Sequence, residues 1–473
     1  MECDITPRSF GDLKCPERPP KEELHSDSIT HTYEIQVITP IFGGGVVEAG
    51  VNDPVTPIRP SSIRGHLRFW WRATRGTKYK TVPELRRREG EIWGAVDNPS
   101  PVTIEVEKLS IGVPKKRSYP DYGFPDKYGP EAYALFSAKE NSSDKNSSDI
   151  ISEGFSFNLI VRWLTHDKLQ RIREKENEEL LRLNKPTKAK YIDDIGPDVD
   201  EALRAWVNFG GIGGRTRRGC GSLFSEQLAI KSIEDFHGYS FRLLYKLGPK
   251  NPLDAWSQSV KAIKDFRQSF RGPRHKKQIH TRSGTKTISA FGRSYWPEPD
   301  SIRNITGCAL KPPNINNFDH SIPQTPTEFF PRAELGLPIL FHFADGPDEK
   351  PAMSSLDPPN VMLIPTAPDG KDGTRMASPV ITRPLKLATG EDIAMIVVLN
   401  SQNIPPLRLV GNNQNLPYDI MQDKIRNASL ASYHNSPLGP PGPKKEARSP
   451  KGSALEAFIN FAKDEKRFKE ATQ

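Results

Sequence analysis

Three stretches of the chain combine cations with glycine or aromatic residues in patterns that suit a polyanionic ligand. Between Asp53 and Glu84 there is no acidic residue, yet Arg59, Arg64, Arg68, Arg72, Arg75, Lys78 and Lys80 are all present. Arg64, Arg68, Arg72 and Arg75 recur at i, i+4, i+8 and i+11, which places their guanidinium groups on one face of a helix. The second stretch, FGGIGGRTRRGCGSLF (209–224), alternates glycines, Gly213 and Gly214 among them, with Arg215, Arg217 and Arg218. Glycine lets backbone N–H groups approach a phosphate closely, and arginine supplies forked donors that match its oxygens. The third, 266–296, is also free of acids and holds Arg271, Lys276, Lys277 and Arg293 with Phe270, Phe291, Tyr295 and Trp296 interspersed. Cations beside π faces suit a single-stranded nucleic acid, whose phosphates are neutralised while its bases stack.

Each stretch also has a plainer structural reading. The first can be a solvated basic face beside a core face of Ile63, Leu67, Trp70 and Trp71, the second a connection that needs positive φ, the third a basic loop whose aromatics pack inward. Across the whole chain 67 Lys and Arg stand against 58 Asp and Glu, a formal charge of +9. That balance favours nucleic acid or another anionic surface as partner.

Catalytic patterns are sparse. There is no GxxxxGK[ST] loop, and the glycines at 43–45 lack the spacing of a dinucleotide fingerprint. The pair His166-Asp167 is similar to a phosphohydrolase dyad, but a charged helix start explains it better. His66, within the arginine-striped helix, could serve as a general acid or base on RNA, and equally as a phosphate or core contact. Asp193, Asp194, Asp198 and Asp200 could hold Mg²⁺, yet Asp198 and Asp200 fit the first turn of a helix, where the dipole favours carboxylates. Cys3, Cys15, Cys220 and Cys308 have neither zinc-site spacing nor the density of a disulfide framework, so reduced thiols are expected. Neither a metal nor a cofactor is expected.

The elements that must position these residues follow from periodicity and capping. Residues 1–28 read as a flexible arm, and Tyr33, Ile35 and Val37 alternate as in a half-buried strand. Ser61 is placed to cap a helix to about Arg75, and Thr81, Glu84 and Gly94 bracket a second helix. Strands are expected at 102–109 and 155–163, with a polar insertion at 138–149 between them, followed by a charged helix over 167–183 and an amphipathic one over 199–209. A second cycle starts at 239–246, and Asn251 and Pro252 open its first helix. Later strands are expected at 338–344, 360–366 and 393–399, with a last helix from Ser453. Residues 400–452 read as a long Pro- and Asn-rich loop.

The order strand, helix, strand, strand, helix, strand over about 31–230 is that of two interleaved βαβ units, and a second cycle is expected from 239–246. The expected fold is α+β, with tandem ferredoxin-like (RRM-like) domains over 29–235 and 236–473, a Gly-rich loop and loop insertions. No window reaches the length of apolar sequence a membrane helix needs, and the first 30 residues do not read as a signal peptide, so a cytoplasmic protein is expected.

Residues 38–45 (ITPIFGGG) and 55–73 (VTPIRPSSIRGHLRFWWRA) resemble the N-terminal signature of the first-numbered RAMP subunit of type III-B (Cmr) CRISPR complexes. GGIGGRTRRGCGSLF (210–224) resembles the RAMP Gly-rich loop, and RMASPVITRPL (375–385) a Ser-Pro segment of several RAMP subunits. The resemblance implies a non-catalytic subunit that caps the backbone of an antiviral effector complex, with the 3′ part of the crRNA, the paired target RNA and other Cmr RAMP subunits as partners. Two rivals stay open. One is a metal-independent RAMP endoribonuclease that processes CRISPR RNA with His66; the other is a protein-binding scaffold whose basic tracts face acidic neighbours.

Overall fold

A computed structural model of the 473-residue chain describes residues 27–43, 58–108, 116–117, 129–135, 150–268, 275–308, 328–343, 358–424 and 453–471, apart from single positions and short runs within these ranges. Most of the expected N-terminal arm, the 138–149 insertion and the Pro-rich 435–452 segment lie outside the described residues.

In the first half, β1 (Ser28–Val37) leads through β2 (Ile41–Phe42) to helix α1 (Pro60–Ala73), then to α2 (Val82–Trp93) and β3 (Val102–Lys108). β4 (Lys116–Arg117), a short α3 (Pro130–Ala134) and β5 (Ile150–Ile151) precede β6 (Ser156–Leu164), α4 (His166–Arg182), α5 (Gly196–Phe209) and β7 (Leu223–Phe224). The main sheet has the order β3-β6-β1-β7 with every neighbour antiparallel, which is the ferredoxin-like arrangement. Tyr33, Ile35 and Val37 are buried as their alternation predicts. Thr81 accepts from the Glu84 amide and Gly94 ends α2 at φ 87°. α1 starts differently from expectation: Arg59, not Ser61, holds the N-cap position, because Pro60 at the first helical position has its φ already set.

The second half repeats the topology. β8 (Arg242–Lys246), α6 (Pro252–Gln268), β13 (Val380–Lys386), β14 (Asp392–Val398), α8 (Ala454–Asp464) and β17 (Lys469–Glu470) give the antiparallel order β13-β14-β8-β17. Asn251 caps α6 by accepting from the Asp254 amide, and Ser453 caps α8. Inserted between α6 and β13 are the hairpin β9 (His275–Thr281) and β10 (Gly284–Ala290), then α7 (Glu298–Thr306), β11 (Ile339–Phe341) and β12 (Val361–Pro365). β15 (Leu407–Gly411) and β16 (Tyr418–Ile420) follow β14 and join a satellite sheet, β11-β12-β15-β16, which has its own core around Phe330, Phe341, Val361 and Leu409.

Two expectations are corrected. The strands expected at 338–344 and 360–366 exist but belong to the satellite sheet, and the second strand of the repeat is β13, largely within the 375–385 segment, where no strand was expected. Pro384 is tolerated because β13 is an edge strand, where a missing N–H leaves no ladder bond unmade. The supposed loop 400–452 contains β15, whose partner β12 stands more than forty residues earlier, and β16, which pairs with β15.

β14 is apolar at consecutive positions because it is buried on both faces. Ile393, Met395 and Val397 pack into the cluster that holds the first sheet, whereas Ala394, Ile396 and Val398 pack under α6 and α8. The two ferredoxin-like units therefore share a core layer, which fixes β13 against the Gly-rich loop. Among the described residues no helix is long and apolar enough to cross a membrane.

Candidate nucleic-acid interface

α1 is anchored by Ile63, Leu67, Trp70 and Trp71, all buried, and each contributes roughly 1.5–3 kcal/mol on burial. The arginine stripe beside them is largely engaged inside the protein. Arg64 donates to Ser100 Oγ at 2.6 Å and to the Val102 carbonyl at 2.8 Å, and burial, with Arg68 nearby, holds its guanidinium below the usual range. Arg68 and Arg72 share one oxygen of Glu89, at 2.7 and 2.9 Å. Arg75 meets Asp198 at 2.9 Å, and the same carboxylate accepts from Trp71 Nε1 and the buried Arg88. Asp198 is thus an ion-pair centre as well as a residue of the first turn of α5. Arg59, at the N-cap position, is half-buried.

The Gly-rich loop is packed against the protein on several sides. Gly213, at φ 77°, has no room for a side chain, since a Cβ would lie 2.7 Å from Ile41. Gly214 donates to the Phe42 carbonyl at 2.5 Å, so the close approach that both glycines permit is to β2. Arg215 donates to the Ala134 and Tyr133 carbonyls of α3, Arg217 to the Ser378 carbonyl, and Arg218 to the Arg217 and Val380 carbonyls at 3.1 and 3.2 Å. Neutral carbonyls occupy these donors without cancelling the charge. Burial holds Arg217 below its usual range and pushes Arg218 down to about 10.

Where α1, the end of α5, the Gly-rich loop and β13 converge, a cleft of about 230 Å³ opens. It is lined by His66, Phe69 and Trp70 from α1, Phe209 from α5, Thr216 and Arg217 from the loop, and Ile381 from β13. The Arg217 guanidinium lies over the Phe69 ring, 5.4 Å from its centre. Burial pushes the His66 imidazole below its ordinary value, which favours the neutral form, and it makes no hydrogen bond or ion pair among the described residues. A neutral imidazole can donate and accept, a flat apolar wall can receive a base, and Arg217 can meet a phosphate.

Outside the cleft, Lys78, Lys80, Arg86 and Arg87 are exposed on the 3₁₀ turn after α1 and the first half of α2, and none has an ion pair among the described residues. Arg86 and Arg87 were missed from sequence because Glu84, Glu89 and Glu91 surround them in the chain. The fold turns Glu89 and Glu91 inward and leaves the two arginines outside.

The third basic tract contributes the β9–β10 hairpin. Arg271 and Arg293 lie outside the described residues, as do the side chains of Lys276 and Lys277. Trp296 is corrected: it is 1% exposed, packs edge-on against Phe266 and lies under Arg332, so it is a core residue with no face left for a base. His166 begins α4, with Thr165 as its cap. No group of three or more His, Cys, Asp or Glu among the described residues could hold a metal ion.

Residues 34–224, which carry α1 and the Gly-rich loop, match the family model of the RAMP superfamily. The chain is also similar to the CRISPR system Cmr subunit Cmr1-1 of Pyrococcus furiosus, 24% identical over 252 residues. The match takes in 52% of this chain and 56% of that relative. Among solved structures, the apo crystal structure of Cmr1 from Pyrococcus furiosus aligns at a TM-score of 0.42 and 15% identity, over 84% of this chain and 94% of the other. A chain of the type III-B Cmr-beta complex bound to cognate target RNA and AMPPnP aligns at 0.35 and 11%, over 82% and 96%.

Proposed function

We propose that this chain is a non-catalytic, RNA-binding capping subunit of a cytoplasmic type III-B CRISPR (Cmr) effector complex, and that it contacts the 3′ part of the crRNA and the paired target RNA beside other Cmr RAMP subunits. The observation that carries the reading is the cleft, where Arg217, His66 and an aromatic wall meet beside the Gly-rich loop. The named relatives belong to Cmr complexes, one of them determined with target RNA, and this supports the choice of partner. Base pairing to the guide then supplies sequence specificity, and the protein reads backbone and shape.

Fluorescence anisotropy of the purified chain with two single-stranded RNAs of unlike sequence, at several salt concentrations, tests the reading. Arg217→Gln should flatten the slope of log K against log salt by about 0.7, the value for one phosphate on a single strand, and equally for both RNAs. An unchanged slope removes Arg217 from the binding surface. The same RNAs incubated in EDTA test the rival: cleavage that His66→Ala abolishes would make the chain a nuclease.

A further inference from the structure

The open face of the first sheet takes no part in the cleft. Helices α1 and α5 cover one side of β3-β6-β1-β7 and bury Tyr33, Ile35, Leu159 and Val161, while the alternate positions face outward. The register sets out what that second side presents. Thr32, Ile160 and Glu105 form one row across β1, β6 and β3, and Glu34, Asn158 and Glu107 form the next. Glu34, Glu105 and Glu107 are exposed and make no ion pair among the described residues. The one cation that these three strands place on this side, Arg162, lies a row beyond Ile160 and donates to Thr30 at 3.1 Å.

Such a face is unsuited to nucleic acid. A sheet that reads single-stranded RNA offers aromatic platforms, whereas β1, β6 and β3 place no aromatic side chain here, and three carboxylates repel phosphate. At its far end Phe224 of β7, paired with Gln36, already has Lys386 over its ring at 5.8 Å. The cations described above, Arg217 in the cleft and Lys78, Lys80, Arg86 and Arg87 outside it, belong to the Gly-rich loop, α2 and the turn before it, and none occupies these strand positions. Nor do the carboxylates serve the sheet itself. Charge on β3 can guard an open edge, but Glu34 stands on the inner strand β1. Where β1 runs past β7, its edge is closed by Gln227, which accepts from the Glu34 amide at 3.1 Å and donates to the Thr32 carbonyl at 3.2 Å.

We propose that the open face of the first sheet is a docking surface for a basic protein, whose Lys and Arg side chains pair with Glu34, Glu105 and Glu107 around the half-buried Ile160. An apolar centre with a charged rim is the anatomy of a protein interface, and charge complementarity sets the sign of the partner. The chain thereby holds protein on its sheet side and RNA at its cleft. That the partner is a neighbouring subunit of the effector complex rests on the function proposed above; its basic character does not.

Titrating the labelled full chain into the complex assembled from its other subunits and crRNA measures the docking. Replacing the three carboxylates together, Glu34→Gln, Glu105→Gln and Glu107→Gln, should weaken incorporation about tenfold, as for the loss of three exposed ion pairs, and make it less sensitive to salt. Anisotropy of the same variant with single-stranded RNA should show equal or tighter binding, because only repulsion is removed. Unchanged incorporation overturns the proposal. Lost RNA affinity overturns it too, and would make the face an RNA contact. A labelled lysine homopeptide tests the face on the chain alone, again with about tenfold weaker binding expected in the variant. A parent chain that joins no complex but binds the peptide through these carboxylates keeps the surface and defeats the complex reading. A parent chain that joins no complex and binds the peptide no better than the variant overturns the surface as well.

Discussion

Arginine is both an RNA-binding side chain and a structural one, and the same fork of donors serves either purpose. Arg68 and Arg72 turn to Glu89, and Arg75 to Asp198, which stands 123 residues away in the chain. An acid-free window in the sequence is blind to such a partner, so the stripe at 64–75 reads as more available than it is. Arg217 differs because its partner is a neutral carbonyl and its guanidinium reaches the cleft. Aromatic residues carry the same ambiguity, and burial resolves it for Trp296. Trp296→Ala should cost roughly 3–5 kcal/mol in urea unfolding, the usual cost of emptying a buried aromatic site. RNA affinity of the folded protein should stay unchanged. Lost affinity with stability intact would make Trp296 a stacking residue after all.

At the scale of elements, α1, α2 and α5 are locked by a buried charge cluster in which Asp198 receives Trp71, Arg75 and Arg88. Burial pushes the Asp198 carboxyl up, but the hydrogen bonds from Trp71, Arg88 and Arg75 outweigh it and hold the group below 3.8. A carboxyl depressed in the folded state stabilises the protein fully above its unfolded value and loses that contribution as pH falls through the folded one. Asp198→Asn should therefore cost roughly 3–5 kcal/mol at neutral pH, because Arg88 is left buried with Glu91 as its one carboxylate partner among the described residues, beside the Asp193 and Asp194 carbonyls. The fall in urea midpoint from about pH 4 downward should be shallower than in the parent. An equal acid limb in both proteins would show that other carboxylates carry it. These helices were legible in sequence because caps are local: Thr81 with Glu84, Asn251 with Pro252, and Ser453 each announce a start within four residues. β15 was not legible because its partner β12 stands more than forty residues earlier, and β13 was not because Pro384 interrupts it, although its partner β14 is the next strand. The cleft was half legible. His66, Arg217 and the glycines stood out by type and spacing, while Phe69, Phe209 and Ile381 are gathered only by tertiary packing.

At the scale of the molecule, the two ferredoxin-like units meet where the edge strand β13 runs along the Gly-rich loop, and one side chain spans the join. Arg383 is fully buried and donates to the Gly210 carbonyl at 2.5 Å, the Leu223 carbonyl at 3.1 Å and the Pro384 carbonyl at 2.8 Å. Gly210 and Leu223 flank the loop, so Arg383 closes its two ends from the other unit. Among the described residues no carboxylate pairs with it, and burial lowers its proton affinity. Removing a buried, unpaired cation relieves a desolvation cost of several kcal/mol, whereas leaving three carbonyls without that donor costs about 1–3 kcal/mol each. The two nearly cancel, so Arg383→Met should leave global stability within about 2 kcal/mol of the parent while freeing the loop. Hydrogen exchange separates these outcomes: amides of 210–223 should lose protection by tenfold or more, with those of β6 and β14 unchanged. RNA affinity should fall with the loop's protection, because Arg217 is then no longer held at the cleft. If loop protection persists in Arg383→Met, the glycine contacts to β2 alone fix the loop, and Arg383 serves only to join the two units.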